Sequence, residues 1–139
     1  MMRDIASNIV VRPVIAPAAN SNLGTTPLVG TVIDRLGFNS LAYAIITGTL
    51  SDADATYAVL LEESDQSGSN FTAVADEHLT GTEADAGFTY ANDGVTRKLG
   101  YRGSKRYTRL TITPAAADSG NSPIAAIAIL GNPSVAPVT

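Results

Sequence analysis

At 139 residues the chain is the size of one domain, and it can bury roughly 68% of its unfolded surface without staples. It has no cysteine, which excludes disulfides and thiolate metal sites, and its net charge of −4 argues against a partner bound through phosphates. Only 16% of residues are charged, against the quarter to a third usual on a free surface, so other chains are expected to cover part of this one.

In chain order, the opening MMRDIASNIVVRPVIAPAA is mildly apolar, but Asp4, Asn8, Arg12 and Pro13 break it before a signal-peptide core can form. With the Pro- and turn-rich stretch that follows, residues 1–27 are expected to be an extended N-terminal arm. No window then carries a helical period. Short Val, Ile, Thr, Leu and Tyr runs recur between Gly, Asp, Asn and Ser clusters. The runs are Leu28–Asp34, Ser40–Thr49, Thr56–Glu63, Phe71–Ala75, Phe88–Tyr90, Arg97–Leu99, Arg106–Thr113 and Ile124–Leu130. About eight closely spaced strands predict an all-β fold, an antiparallel β-sandwich of jelly-roll type spanning residues 28–130. TYAVLLEES reads as a central strand, SDQSGSN as turn chemistry and FTAVA as the returning strand of a hairpin. In RYTRLTIT, Thr108, Leu110 and Ile112 alternate toward a core, while Tyr107, Arg109, Thr111 and Thr113 face the other way. IAAIAIL is far short of the ~20 apolar residues that span a bilayer, and its small side chains suit close packing on a sheet or subunit. Residues 131–139, GNPSVAPVT, read as a C-terminal tail.

Charge is segregated along the chain. Six of the nine Lys and Arg residues fall between Arg97 and Arg109, whereas ten of the thirteen carboxylates lie between Leu36 and Thr96, where no Lys or Arg occurs. Nucleic-acid binding is set aside because of those acids and the negative net charge. Two readings of the basic stripe stay open and are compatible. It either pairs with acids on neighbouring strands, or it meets the acidic loops of another copy or another protein and fixes orientation there. The expected contact residues are Arg3, Asp4 and Arg12 on the arm and Arg102, Lys105, Arg106 and Arg109 on the stripe.

Catalytic chemistry finds little support. His78, the single histidine, has no second His or Cys with which to share a metal and reads as a loop residue. The loop acids Asp52, Asp54, Asp65, Asp76, Glu83, Asp85 and Asp93 lack the spacing of a calcium loop. Glu62 and Glu63 point to opposite faces of one strand, a poor start for a carboxylate pair acting on one bond. GYRGSK lacks phosphate-loop spacing, and no GxSxG occurs. No enzyme, cofactor or metal is expected.

The constellation LLEESDQSGSNFTAVADEHLTGT followed by KLGYRGSKRYTRLTIT resembles small head-associated virion proteins of tailed bacteriophages and gene transfer agents. In that family an acidic QESDD-like turn precedes an FTAV strand, an IGYxGxKRYxRVxxT strand follows, and a small-residue strand closes near Gly-His-Pro. The matching pieces here are Glu62–Val74, Leu99–Thr113 and Ile124–Pro133, and the start is similar to the family's MxRDLxSNxxVxxxxAPA opening. The departures are Asn132 where His is common and a QSG insertion in the turn.

The resemblance implies a non-enzymatic β-sandwich on the capsid exterior, a decoration (cement) protein or head-spike base, made in a bacterial host's cytoplasm. Its implied partners are the major capsid protein, sibling copies in a trimer or pentamer, and a spike or fibre protein, with no nucleic acid and no membrane. KRYTRLTIT is also similar to the ARYVRI strand of galactose-binding-like jelly rolls. The alternatives are therefore a carbohydrate-binding module or a tail or neck structural protein. The chain has no Trp for sugar stacking.

Overall fold

The computed structural model describes residues 3–17 and 23–138, and within them two antiparallel sheets pack face to face. The first sheet runs β1 (Val10–Ile15), β11 (Ile124–Pro133), β4 (Phe38–Thr47), β9 (Thr96–Tyr101) and β7 (Leu79–Thr80). The second is built on β10 (Tyr107–Ala115) and β5 (Thr56–Ser64). The short strands β2 (Leu28–Val29) and β3 (Ile33–Asp34) border β10, and β6 (Thr72–Ala73) and β8 (Phe88–Thr89) border β5. The fold is the all-β sandwich that the strand spacing predicts.

The alternation also sets the register as expected. Thr108, Leu110 and Ile112 are fully buried and face the first sheet. Thr111, on the opposite face, is buried as well, because its register neighbours Val29 and Leu60 flank it there. Leu41, Tyr43 and Ile45 of β4 and Ile124, Ala126, Ala128 and Leu130 of β11 supply the other half of the core. Tyrosines reach between the layers. Tyr43 shares a 2.6 Å hydrogen bond with Thr108, and Tyr57 shares one of 2.5 Å with Ser122. Phe88 stacks on Tyr57 at 4.9 Å.

The hairpin from β5 to β6 pairs Glu62 with Ala73 and Glu63 with Thr72. Its turn is held by its own polar side chains. Ser64 Oγ donates to the Ser69 carbonyl, Ser69 Oγ and Asn70 Nδ2 donate to Gln66 Oε1, and Asn70 takes a left-handed φ of 60°.

Three elements differ from the sequence reading. Residues 10–15 of the expected arm form β1, an edge strand paired with β11 that buries Val14 and Ile15. Pro13 disguises it, and it sits where proline is tolerated, on the edge beside a register shift. The run Leu28–Asp34 is two strands broken at Gly30, whose N–H donates to the Leu110 carbonyl at 2.7 Å. A Cβ at Gly30 would lie 2.6 Å from that oxygen and 2.5 Å from Val14. The third is β7, two residues after a 3₁₀ turn at Asp76–His78, too short to leave a period. The closing strand reaches Pro133, and the described tail folds back, Ser134 N–H donating to Gly37 and Val138 N–H to Ser7.

Candidate interaction surfaces

The basic stripe lies where β9 crosses to β10, and three of its six cations pair with carboxylates within the chain. Arg106 makes a two-pronged contact with Asp34 at 2.9 Å, which holds the Asp34 carboxyl below the usual range. Lys105 Nζ lies 2.6 Å from Asp65, and that carboxylate raises the lysine's pKa. Arg109 donates to Glu62 across the β10–β5 pair at 2.9 Å and lies 4.4 Å over the Phe71 ring. The Arg102 guanidinium donates only to the Glu77 carbonyl and has no carboxylate partner among the described residues. On the N-terminal segment Arg12 donates to the Asp34 carbonyl and sits over Phe38, while Asp4 accepts from the Ser7 N–H. Arg3 is exposed. The structure thus brings Arg12 and Arg106 together at Asp34 and leaves Arg3 and Asp4 apart from the stripe.

Tyr101 closes the space beneath the stripe. Its hydroxyl donates to Glu63 on the opposite sheet and accepts from the Lys105 N–H, and Arg35 lies 4.8 Å over its ring. Burial and the Glu63 carboxylate push the phenol's pKa up, so it stays a donor through the neutral range.

A second surface was not singled out in the sequence: the outer face of the first sheet. At the middle of that face, Val11, Ile129, Ala42 and Gly100 lie in one row across β1, β11, β4 and β9. Pro13, Ile127, Ala44 and Lys98 form the next row, and Ala125, Ile46 and Thr96 the one after it. Ile46 is 53% exposed, Val11 51% and Ile127 39%. Lys98 is the single charge in these rows and has no ion-pair partner among the described residues. Between Ile46 and Ile127, over Ala44 and Ala125, lies a shallow depression lined almost wholly by carbon. Ser40, Thr80 and Arg102 mark the polar end of the face. An open sheet face normally alternates to polar residues, and the middle of this one does not. The signal was in the sequence: LAYAIIT and IAAIAIL are apolar at both parities, where a half-solvated strand would alternate.

Further titratable groups come together elsewhere among the described residues. Carboxylate oxygens of Asp52, Asp54 and Asp118 lie within 4.8 Å of one another. Asp52 is buried and accepts the Ser119 N–H at 2.7 Å, which lowers its pKa, while its hydrogen bond and charge raise that of Asp54. The Asp52–Ser119 hydrogen bond ties the loop after β4 to the loop before β11. His78 Nδ1 is buried without a hydrogen-bond partner, in a ring 43% exposed with only Glu77 nearby among acids.

The aromatic residues do not form a platform. Tyr43, Tyr57, Phe88 and Tyr101 are in the core, Phe71 and Tyr107 lie under arginines, and Tyr90 alone among the described aromatics is largely exposed.

No protein-family model matches the chain, and no curated protein matches it in sequence. Among solved structures, it is similar to the PBSX exported protein XepA, with 18% identity and a TM-score of 0.54 over 88% of this chain and 37% of that one. It is also similar to a chain of the T13 infectious bursal disease virus particle, with 12% identity and a TM-score of 0.50 over 91% and 32%. The xylan-binding module CBM15 gives 11% identity and a TM-score of 0.42 over 95% of each chain. The chain spans about a third of the length of the first two, and identities this low speak to the fold alone.

Proposed function

We propose that this chain is a non-enzymatic structural protein of a tailed phage or phage-like particle, seated on the capsid exterior as a decoration protein or head-spike base. The observation that carries this reading is the apolar outer face of the first sheet, on a chain with few charges. A surface of Ala, Ile, Val and Gly, without aromatics, suits flat packing on protein better than stacking on sugar rings. The sequence resemblance to head-associated virion proteins, which touches both ends of the chain, supplies the particle. Arg102 at the polar end of the face and Arg3 and Asp4 on the N-terminal segment are the rim contacts that orient the docked chain. Attachment at many symmetric positions gives avidity that one modest face lacks.

The test is co-sedimentation of the purified chain with empty capsids assembled from the major capsid protein of the phage or phage-like element whose genome encodes it. Saturable binding that Ile127→Lys abolishes is the expected result. A chain that ignores capsids and instead binds on a glycan array would replace this reading with the carbohydrate-binding one.

A further inference from the structure

We propose that the outer face of the first sheet pairs with the same face of a second copy, around a two-fold axis parallel to the strands and between β4 and β11. The relief of the face is the reason. In each row across these two strands one residue is large and its register partner small: Ile129 beside Ala42, Ile127 beside Ala44, and Ala125 beside Ile46. A two-fold axis along the strands exchanges β11 of one copy with β4 of the other and keeps each row at its own level. Every large side chain then stands over a small one, Ile127 over the second copy's Ala44 and Ile46 over its Ala125, which is what a self-complementary interface requires.

The flanking strands obey the same exchange. Val11 of β1 comes over Gly100 of β9, and Pro13 over the stem of Lys98, whose ammonium reaches the interface edge. The two Lys98 residues fall on opposite sides of the axis. An axis across the strands through the Ala44–Ile127 row would instead set Ile127 on the second copy's Ile127 and Ala44 on its Ala44. Sheets stacked this way pack about 10 Å apart, and because each sheet twists the fit is closest in the two central rows.

Four strands about 4.8 Å apart, and about seven residues along each at ~3.3 Å, give a face of roughly 440 Å². A standard interface takes about 800 Å² per partner, so free copies associate reversibly at high concentration, and docking on the capsid, which uses the same face, displaces the second copy.

The inference rests on reading this face as an interface, and its test uses the free chain without capsids, so the two can fail separately. Sedimentation equilibrium from about 1 μM to about 1 mM should show the mass rising from one chain toward two. Ala44→Ile places large on large at a site used twice per dimer, and should weaken association roughly tenfold or more. Ala44→Ile with Ile127→Ala exchanges ridge and hollow and should restore it. Position 44 is half-buried and position 127 exposed, both on the outer face, and circular dichroism monitors the fold. A native chain that stays monomeric through the range overturns the proposal. So does tighter association of Ala44→Ile, the mark of an indiscriminate apolar surface, or a double variant no better than the single.

Discussion

Tyr43 carries a hydroxyl into a fully buried space, and Thr108 from the opposite sheet is there to meet it. Each group satisfies the other, so removing one strands its partner. Tyr43→Phe should cost about 1–3 kcal/mol in urea unfolding, whereas Tyr43→Phe with Thr108→Val should recover most of that loss. A double variant as unstable as the single would show that ring packing, not the hydrogen bond, is what matters there. At the surface the Asp34–Arg106 pair titrates. Its depressed carboxyl contributes stability that is fully present above the ordinary value of 3.8 and is lost as pH falls through the lower folded value. Asp34 is 38% exposed, so the pair is worth about 0–1 kcal/mol. The stability gap between the native chain and Asp34→Asn should therefore close between pH 5 and pH 2, and a gap that stays constant would mean the carboxylate charge is not involved.

The strands that hold the core announce themselves, and the strands that complete the sheets do not. β5 and β10 are legible because period-2 alternation separates Leu61, Leu110 and Ile112 from Glu62, Arg109 and Thr113. β1 is hidden because proline and arginine interrupt it, and its partner β11 lies more than a hundred residues away, beyond any local pattern. β2 and β3 look like one strand because the reason for their break, the approach of Leu110 and Val14 to Gly30, exists only in three dimensions. That contact can be tested. Gly30→Ala forces a methyl against a carbonyl and a core valine, and should cost about 1–3 kcal/mol. Hydrogen exchange should rise in Leu28–Asp34 before it rises in β4 or β11. Uniform loss of protection would mean that the edge and the core melt as one unit.

For the whole molecule, segregation of charge along the sequence does not survive folding. The chain crosses between sheets so that Arg106 meets Asp34, Lys105 meets Asp65 and Arg109 meets Glu62, and half of a stripe loud in the sequence is paired with carboxylates on the surface. The apolar face behaves in the opposite way. Its residues come from four separate strands, of which β4 and β11 are apolar at both parities, and only sheet order places the four side by side. This difference has a measurable consequence. If the basic stripe supplied the binding, raising salt from 0.1 M to 1 M would shrink the screening length from about 10 Å to about 3 Å and weaken capsid binding strongly. Binding through the sheet face loses no such attraction and gains from salts that are excluded from apolar surface. Co-sedimentation with capsids should therefore hold within about threefold across that range and strengthen in sulfate. A loss of tenfold or more would move the contact to Arg102 and Lys105. In that case Arg102→Glu with Lys105→Glu, and not Ile127→Lys, would be the substitution that releases the chain from the particle.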